Sequence, residues 1–277
     1  ELGATIAEVN PGSSLSIGTR VVVMPYVNCG KCYACRMGKT NCCQYLKVLG
    51  VHTDGGMQEM ITVEERLLLP APKLSSEEMA IVEPLCVGAH AVRRAEIQEG
   101  EYVAVVGCGP IGLGLMKMAR VDGAKVIAMD MNDDRLAYAQ DAMGVEHVVN
   151  VQGDAVAQVK GITGGDLAAA VFDATGHPAA LQSGHQYMAH GGRYVLVGLY
   201  KGELAFHHPS IHAKEASILC SRNATLEDFQ HVMDVLESGV FPTRSFITHE
   251  VSYKDMIANF DAWVRPETGV IKAMVHF

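Results

Sequence analysis

No run of apolar residues in this chain approaches the roughly 18 that cross a bilayer, so no membrane span is expected. No basic stretch followed by an apolar one opens the sequence, so no signal peptide is expected and a reducing cytoplasm is the simplest compartment. Positive charge is scarce: 22 Lys and Arg stand against 31 Asp and Glu, for a formal net charge of −9. A nucleic acid or an anionic membrane would need a concentrated basic face, and neither is expected as a partner. There is no internal repeat and no low-complexity linker. An initiator Met is also lacking, and Glu1–Val9 alternates like a strand, so the expectation is that residues are missing upstream. What is present, half hydrophobic and a fifth charged over 277 residues, is ordinary for a globular chain of two domains.

Cys29, Cys32, Cys35 and Cys43 stand close together among Gly, Lys and Asn, with too few apolar residues for a core of their own. Two-residue gaps let a loop wrap thiolates around one ion, and the longer gap returns the fourth to close a tetrahedron. Zn²⁺ favours four sulfur ligands at about 2.3 Å, and a closed four-cysteine site leaves no open position for chemistry. A structural zinc is expected, and disulfides between such close neighbours are not. Cys43 fits the longer gap and Cys42 is the spare.

Short strands and loops fill the chain up to Pro84, with strands at Thr19–Pro25, Met57–Val63 and Arg66–Leu69. A helix is expected over Pro84–Ala95, and then strands alternate with helices at βαβ spacing. The expected strands are Tyr102–Val106, Lys125–Asp130, His147–Val149, Ala169–Ala174, Arg193–Leu199 and Ala216–Cys220. Their helices are Pro110–Val121, Asp133–Met143, one around Asp154–Lys160, and Pro178–Ala189. A further amphipathic helix, Leu226–Ser238, starts at a capping Thr225, and a last strand covers Val270–Phe277.

Gly107-Cys108-Gly109-Pro110-Ile111-Gly112 joins a strand to a helix. There the first glycine makes the turn, the second admits a pyrophosphate to the backbone, and the third lets helix and strand pack closely. The helix N-terminus adds free N–H groups and a positive dipole. Asp130 closes the next strand, where a carboxylate accepts both ribose hydroxyls of NAD and repels a 2′-phosphate. These features predict a Rossmann doubly wound parallel sheet binding NAD rather than NADP. Arg135 is the alternative, accommodating a 2′-phosphate; otherwise it is a solvated helix residue.

The cysteine lobe, the Rossmann unit, Gly50–Gly56, Val82-Glu83-Pro84-Leu85, Phe172–Gly176 and Ser221-Arg-Asn-Ala-Thr225 together resemble the zinc-dependent medium-chain alcohol dehydrogenases, in their polyol and sugar-acid branch. The resemblance implies an α/β chain with a mainly β, GroES-like catalytic domain over residues 1–85, its four-cysteine zinc lobe at 28–44. It implies a Rossmann domain over 86–222 and a return to the catalytic domain over 223–277. It also implies hydride transfer between NAD and a secondary alcohol, a homodimer or homotetramer, and a second, catalytic zinc. For that zinc Glu1 and Glu83 are the remaining ligand candidates, with the other ligands upstream.

Glu83 is otherwise a helix-start carboxylate before Pro84. His52, in a Gly-rich loop, relays a proton or touches substrate, or is a surface histidine. Thr175, Gly198 and Leu199 follow the ends of two central strands and are assigned to the nicotinamide half. Asp173 supports them structurally. Arg222 and Asn223, just past the sixth strand, are the substrate candidates: a guanidinium there pairs with a sugar-acid carboxylate or ties strand to loop. His207, His208 and His212 fit no metal motif and are expected to be solvated or in a subunit contact. Two rival readings remain, a dehydrogenase of another alcohol such as threonine and a non-catalytic NAD-binding protein with structural zinc only.

Overall fold

Valine-rich runs between glycines and prolines make the first strands. The computed structural model describes the backbone of residues 1–277 and every side chain except that of Pro266. Strands β1 (Gly3–Thr5), β2 (Arg20–Val23) and β5 (Leu68–Pro70) form an antiparallel sheet in the order β1-β2-β5, with β3 (Tyr26–Val27) and β4 (Lys47–Val48) paired separately. Val21, Val22 and Val23 of β2 are buried on both faces. The turn of helix α1 (Tyr33–Arg36) sits between β3 and β4.

Met57–Val63, expected as a strand, is not one: it pairs with no described strand, and Met57 and Met60 are exposed. Alternation without a neighbouring ladder leaves its backbone groups nothing to bond but water. Helix α2 (Ser76–Ala95) begins well before the expected Pro84 and carries that proline inside it. Its start is fixed by a reciprocal box, with the Ser75 N–H on the Glu78 carboxylate at 2.7 Å and the Glu78 N–H on the Ser75 hydroxyl at 3.1 Å. Glu83 therefore lies mid-helix, which removes its reading as a helix-start carboxylate.

Continuous apolar strands build the parallel sheet. Strands β6 (Tyr102–Val106), β7 (Lys125–Asp130), β8 (His147–Asn150), β9 (Ala168–Asp173), β10 (Met188–Leu196) and β11 (Ser217–Cys220) lie in the order β11-β10-β9-β6-β7-β8. All five ladders are parallel. The chain moves outward from β6 to β8 and then returns to β9 on the other side of β6, which makes the β6/β9 boundary a topological switch point. Helices α3 (Pro110–Val121), α4 (Asp133–Asp141), α5 (Ala155–Ile162), α6 (Pro178–Ser183) and the short α7 (His208–His212) connect the strands. Val103, Ala104, Val105, Val171 and Phe172 are wholly buried, as parallel strands covered on both faces should be.

The expected helix over Pro178–Ala189 ends early, at Ser183, and passes through a 3-10 turn into β10. The Tyr194 ring lies against Gly184, and its hydroxyl donates to the Leu181 carbonyl at 2.8 Å, so tertiary packing overrides the helical run. Strand β10 likewise stops at Leu196 rather than Leu199.

The remaining chain forms helices α8 (Leu226–Glu237), α9 (Thr243–Phe246) and α10 (Met256–Trp263), and strands β12 (Ile247–Ser252) and β13 (Lys272–His276), which pair in parallel. Thr225 starts α8 with both its N–H and its hydroxyl on the Asp228 carboxylate. By chain contacts the molecule divides into Glu1–Cys86 with Ala224–Phe277, and Val87–Asn223.

Candidate active site and metal centre

The cysteine lobe holds its four thiols by backbone geometry. Sγ atoms of Cys29, Cys32, Cys35 and Cys43 all lie within 4.8 Å of one another, with Cys32 at 3.5 Å from Cys35 and 3.9 Å from Cys43. Four sulfurs about 2.3 Å from a tetrahedral zinc stand roughly 3.8 Å apart, so the cage has the right size. Backbone N–H groups point at the sulfurs: Cys32 onto Cys29 at 3.4 Å, and Cys29 and Tyr45 onto Cys43 at 3.3 and 3.4 Å. N–H donors from Cys35 and Gln44 pull the Cys32 thiol down to about 6, while burial pushes Cys43 up to about 11. A zinc at the centre of this cage would take the four sulfurs as thiolates, with the N–H groups aimed at them stabilising that form. Cys42, the spare, is exposed and outside the cluster.

At the carboxyl end of β6 the glycine turn is built by three different demands. Gly107 has φ +103, closed to most side chains. A Cβ on Gly112 would lie 1.8 Å from the Gly107 carbonyl oxygen. Gly109 has neither reason: its φ of −79 is ordinary, and a Cβ there meets nothing within 4 Å. The open space over Gly109, at the start of α3, is where a pyrophosphate would approach the backbone. Pro110 takes the first helical position, where its missing N–H costs no hydrogen bond, and Ile111 follows it.

Asp130 ends β7 beside this turn. Its carboxylate accepts the Cys108 N–H at 2.7 Å and the Asn132 N–H at 3.0 Å. Arg135 is not the solvated residue of the second expectation: it is half-buried, and its guanidinium donates to the Cys108 carbonyl at 3.4 Å. Burial, with Asp130 adding to it, pushes the Cys108 thiol up to about 12, so it stays neutral and serves as a small turn residue.

Asp173, buried at the end of β9, orders the loop that follows it. It accepts the Thr175 N–H and hydroxyl, both at 3.0 Å, and the Gly176 N–H at 3.1 Å. Burial raises its pKa and these bonds oppose the rise. A Cβ on Gly198 would fall 2.1 Å from the Gly176 nitrogen, so the loops after β9 and β10 touch backbone to backbone, and Leu199 is left exposed. Arg222 and Asn223 follow the end of β11; Arg222 is exposed and Asn223 has a left-handed φ of +52. The glycine turn, Asp130, Thr175, Gly198 and Arg222 thus follow the carboxyl ends of five neighbouring parallel strands, the edge where such sheets receive ligands.

In the other unit, the Tyr26 hydroxyl donates to the half-buried Glu83 carboxylate. Burial, with the nearby Glu83 charge, drives the Tyr26 phenol far above its usual value, so it remains the proton donor. The Tyr26 partner was invisible in the sequence, because nothing local links residues so far apart. Glu1 is ion-paired with Lys272. His52 is exposed, and its Nδ1 accepts the Val48 N–H at 3.0 Å, which places the proton of the neutral ring on Nε2. Among the described residues no group of three close metal-ligating atoms includes Glu1 or Glu83, so they do not themselves enclose a second zinc.

Residues 110–238 match the zinc-binding dehydrogenase family, and residues 1–73 match the alcohol dehydrogenase GroES-like domain. The chain belongs to the zinc-type alcohol dehydrogenases. L-galactonate-5-dehydrogenase of Escherichia coli is 39% identical over 276 residues, covering 100% of this chain and 79% of that protein. Sorbitol dehydrogenase of Bacillus subtilis is 32% identical, covering 100% of this chain and 79% of its own length. An Escherichia coli alcohol dehydrogenase crystallised with NADH superposes with a TM-score of 0.92 at 29% identity, over 99% of this chain and 82% of that one. As a zinc-type alcohol dehydrogenase, the chain is an NAD(P)-linked oxidoreductase with a GroES-like part and a six-stranded parallel sheet, and its four-cysteine cage fits the family's zinc. No described helix is long and apolar enough to cross a membrane.

Proposed function

We propose that this dehydrogenase transfers hydride between NAD and a secondary alcohol of a polyol or sugar acid, with an L-galactonate-like molecule as substrate. The observation carrying the substrate class is the 39% identity, over the whole chain, to a protein named for L-galactonate. NAD supplies the hydride acceptor or donor when bound. Gly107, Gly109, Pro110, Ile111 and Gly112 take its pyrophosphate, and Asp130 accepts from the ribose hydroxyls. An anionic carboxylate at that point favours NAD over a 2′-phosphorylated cofactor, and the bond from Arg135 to the Cys108 carbonyl holds the guanidinium at the turn. Thr175, Gly198 and Leu199 border the nicotinamide. Arg222 and Asn223 meet the carboxylate and hydroxyls of the substrate.

Glu83 is the carboxylate of the reacting centre, positioned by Tyr26, and His52 offers its Nε2 proton at the surface. The cysteines are free thiols, which suits a reducing cytoplasm. The exposed outer edge of β11 suits pairing between copies in a homodimer or homotetramer.

NADH formation, with zinc supplied and L-galactonate, sorbitol and L-threonine offered separately, tests this reading. Turnover of L-galactonate is expected, reduced about 10²–10⁴-fold by Glu83→Ala. Turnover of L-threonine alone would overturn the substrate class, and NADH binding without turnover of any would favour a non-catalytic role.

A further inference from the structure

A cavity of about 890 Å³ lies away from the glycine turn, walled by α5, α6, the loop entering β9 and the segment before β11. That volume is in the range of small-molecule sites. Its walls meet at the amino ends of β9 and β10, whereas the dinucleotide edge is at their carboxyl ends. In a chain whose net charge is −9 with histidines neutral, its lining sets Lys160 and Lys214 against Asp166 alone, with His185, His190 and His207 beside them.

The cavity is constructed rather than incidental. Strand β10 loses register between Met188 and Arg193, and the bulge leaves His190 exposed. The Gly191 N–H donates to the Lys214 carbonyl at 2.6 Å, and His190 Nδ1 to the Ala213 carbonyl at 3.1 Å, which fixes the segment before β11 as a wall. Lys214 Nζ donates to the carbonyls of His185 and Met188 at 3.1 and 2.5 Å, so it locks that wall and contributes charge without a counter-ion. Burial lowers its pKa, and Lys160 lowers it further. His185 is 6% exposed, with the Ser210 hydroxyl 3.3 Å from its Nε2 and a hydrogen bond to the Gln182 backbone favouring the charged ring. Burial outweighs that effect, and Lys214 and His207 oppose the charge as well. The three imidazoles form no close metal-ligating group among the described residues.

We propose that this cavity binds a small hydroxylated anion, carrying phosphate or carboxylate, as a site separate from the dinucleotide edge. Lys160 and His207, both exposed and in the lining, contact the anionic group. Lys214 adds long-range attraction, and Asp166 accepts from a hydroxyl of the ligand.

Isothermal titration calorimetry on the full chain saturated with NAD tests this, with inorganic phosphate, glucose 6-phosphate and malate as separate probes. Saturable binding of one molecule per chain is expected for at least one probe. Binding of the phosphates alone assigns a phosphate site, and binding of malate alone a carboxylate site. Lys160→Ala and His207→Ala should each weaken it about tenfold or more, the loss of one charge-assisted bond. Both side chains are exposed, so thermal unfolding midpoints should not move. Absence of saturable binding with all three probes, or binding unchanged in both variants, would overturn the proposal.

Discussion

In the parallel sheet Val103, Val105 and Phe172 are wholly out of water, whereas in the cysteine lobe Tyr33, Met37 and Tyr45 are 72%, 58% and 60% exposed. Each fully buried side chain of the sheet contributes about 1.5–3 kcal/mol by leaving water. The lobe has little such surface to bury: α1 has no buried residue at all. Its four thiols form instead a cage of the size that a zinc ion fills. Apolar burial holds the parallel sheet, and the lobe offers a cysteine cage suited to zinc in its place.

The largest expected break in this comparison is Cys32→Ser. Structural zinc sites in peptides are worth about 10–16 kcal/mol of apparent binding energy at neutral pH. Elemental analysis should find one zinc fewer per chain than in the parent, and limited proteolysis should cut within residues 28–44. Fragments of the parallel sheet should stay protected in the same digest. Cuts at equal rates in variant and parent would deny the lobe its metal.

A smaller contrast sharpens the picture inside the glycine turn. Gly112→Ala drives a methyl into the Gly107 carbonyl and should cost about 1–3 kcal/mol in a denaturant titration. Gly109→Val should shift stability by no more than about 1 kcal/mol, because nothing of the protein occupies that space. It should nevertheless weaken NADH binding at least about tenfold in a fluorescence titration. Equal NADH affinity in Gly109→Val and the parent would detach the turn from the cofactor.

The parts legible in the sequence were those governed by local constraint. Cysteine spacing marked the cage, and the Gly107–Gly112 pattern marked the turn between β6 and α3. Apolar runs marked the six parallel strands, and Asp130 followed from its position. The structure adds what only distant neighbours decide. Pro84 suggested a helix start, yet the Ser75–Glu78 box begins α2 earlier and the helix tolerates the proline. Tyr194 interrupts the helical run after Pro178 from across the fold. Met57–Val63 has strand alternation and no ladder to join. The pairing of β12 with β13 was hidden because Ile-Thr-His-Glu-Val-Ser is mostly polar. Tyr26 with Glu83, and the cavity walled by α5 and α6, are assembled from residues dispersed along the chain.

Hydrogen–deuterium exchange with and without a zinc chelator tests most directly that metal orders the lobe and apolar burial orders the sheet. Amides of residues 28–44 should lose their protection in chelator, while those of Tyr102–Val106 and Ala168–Asp173 keep theirs. A lobe equally protected without zinc, or a sheet that opens along with it, would contradict this division.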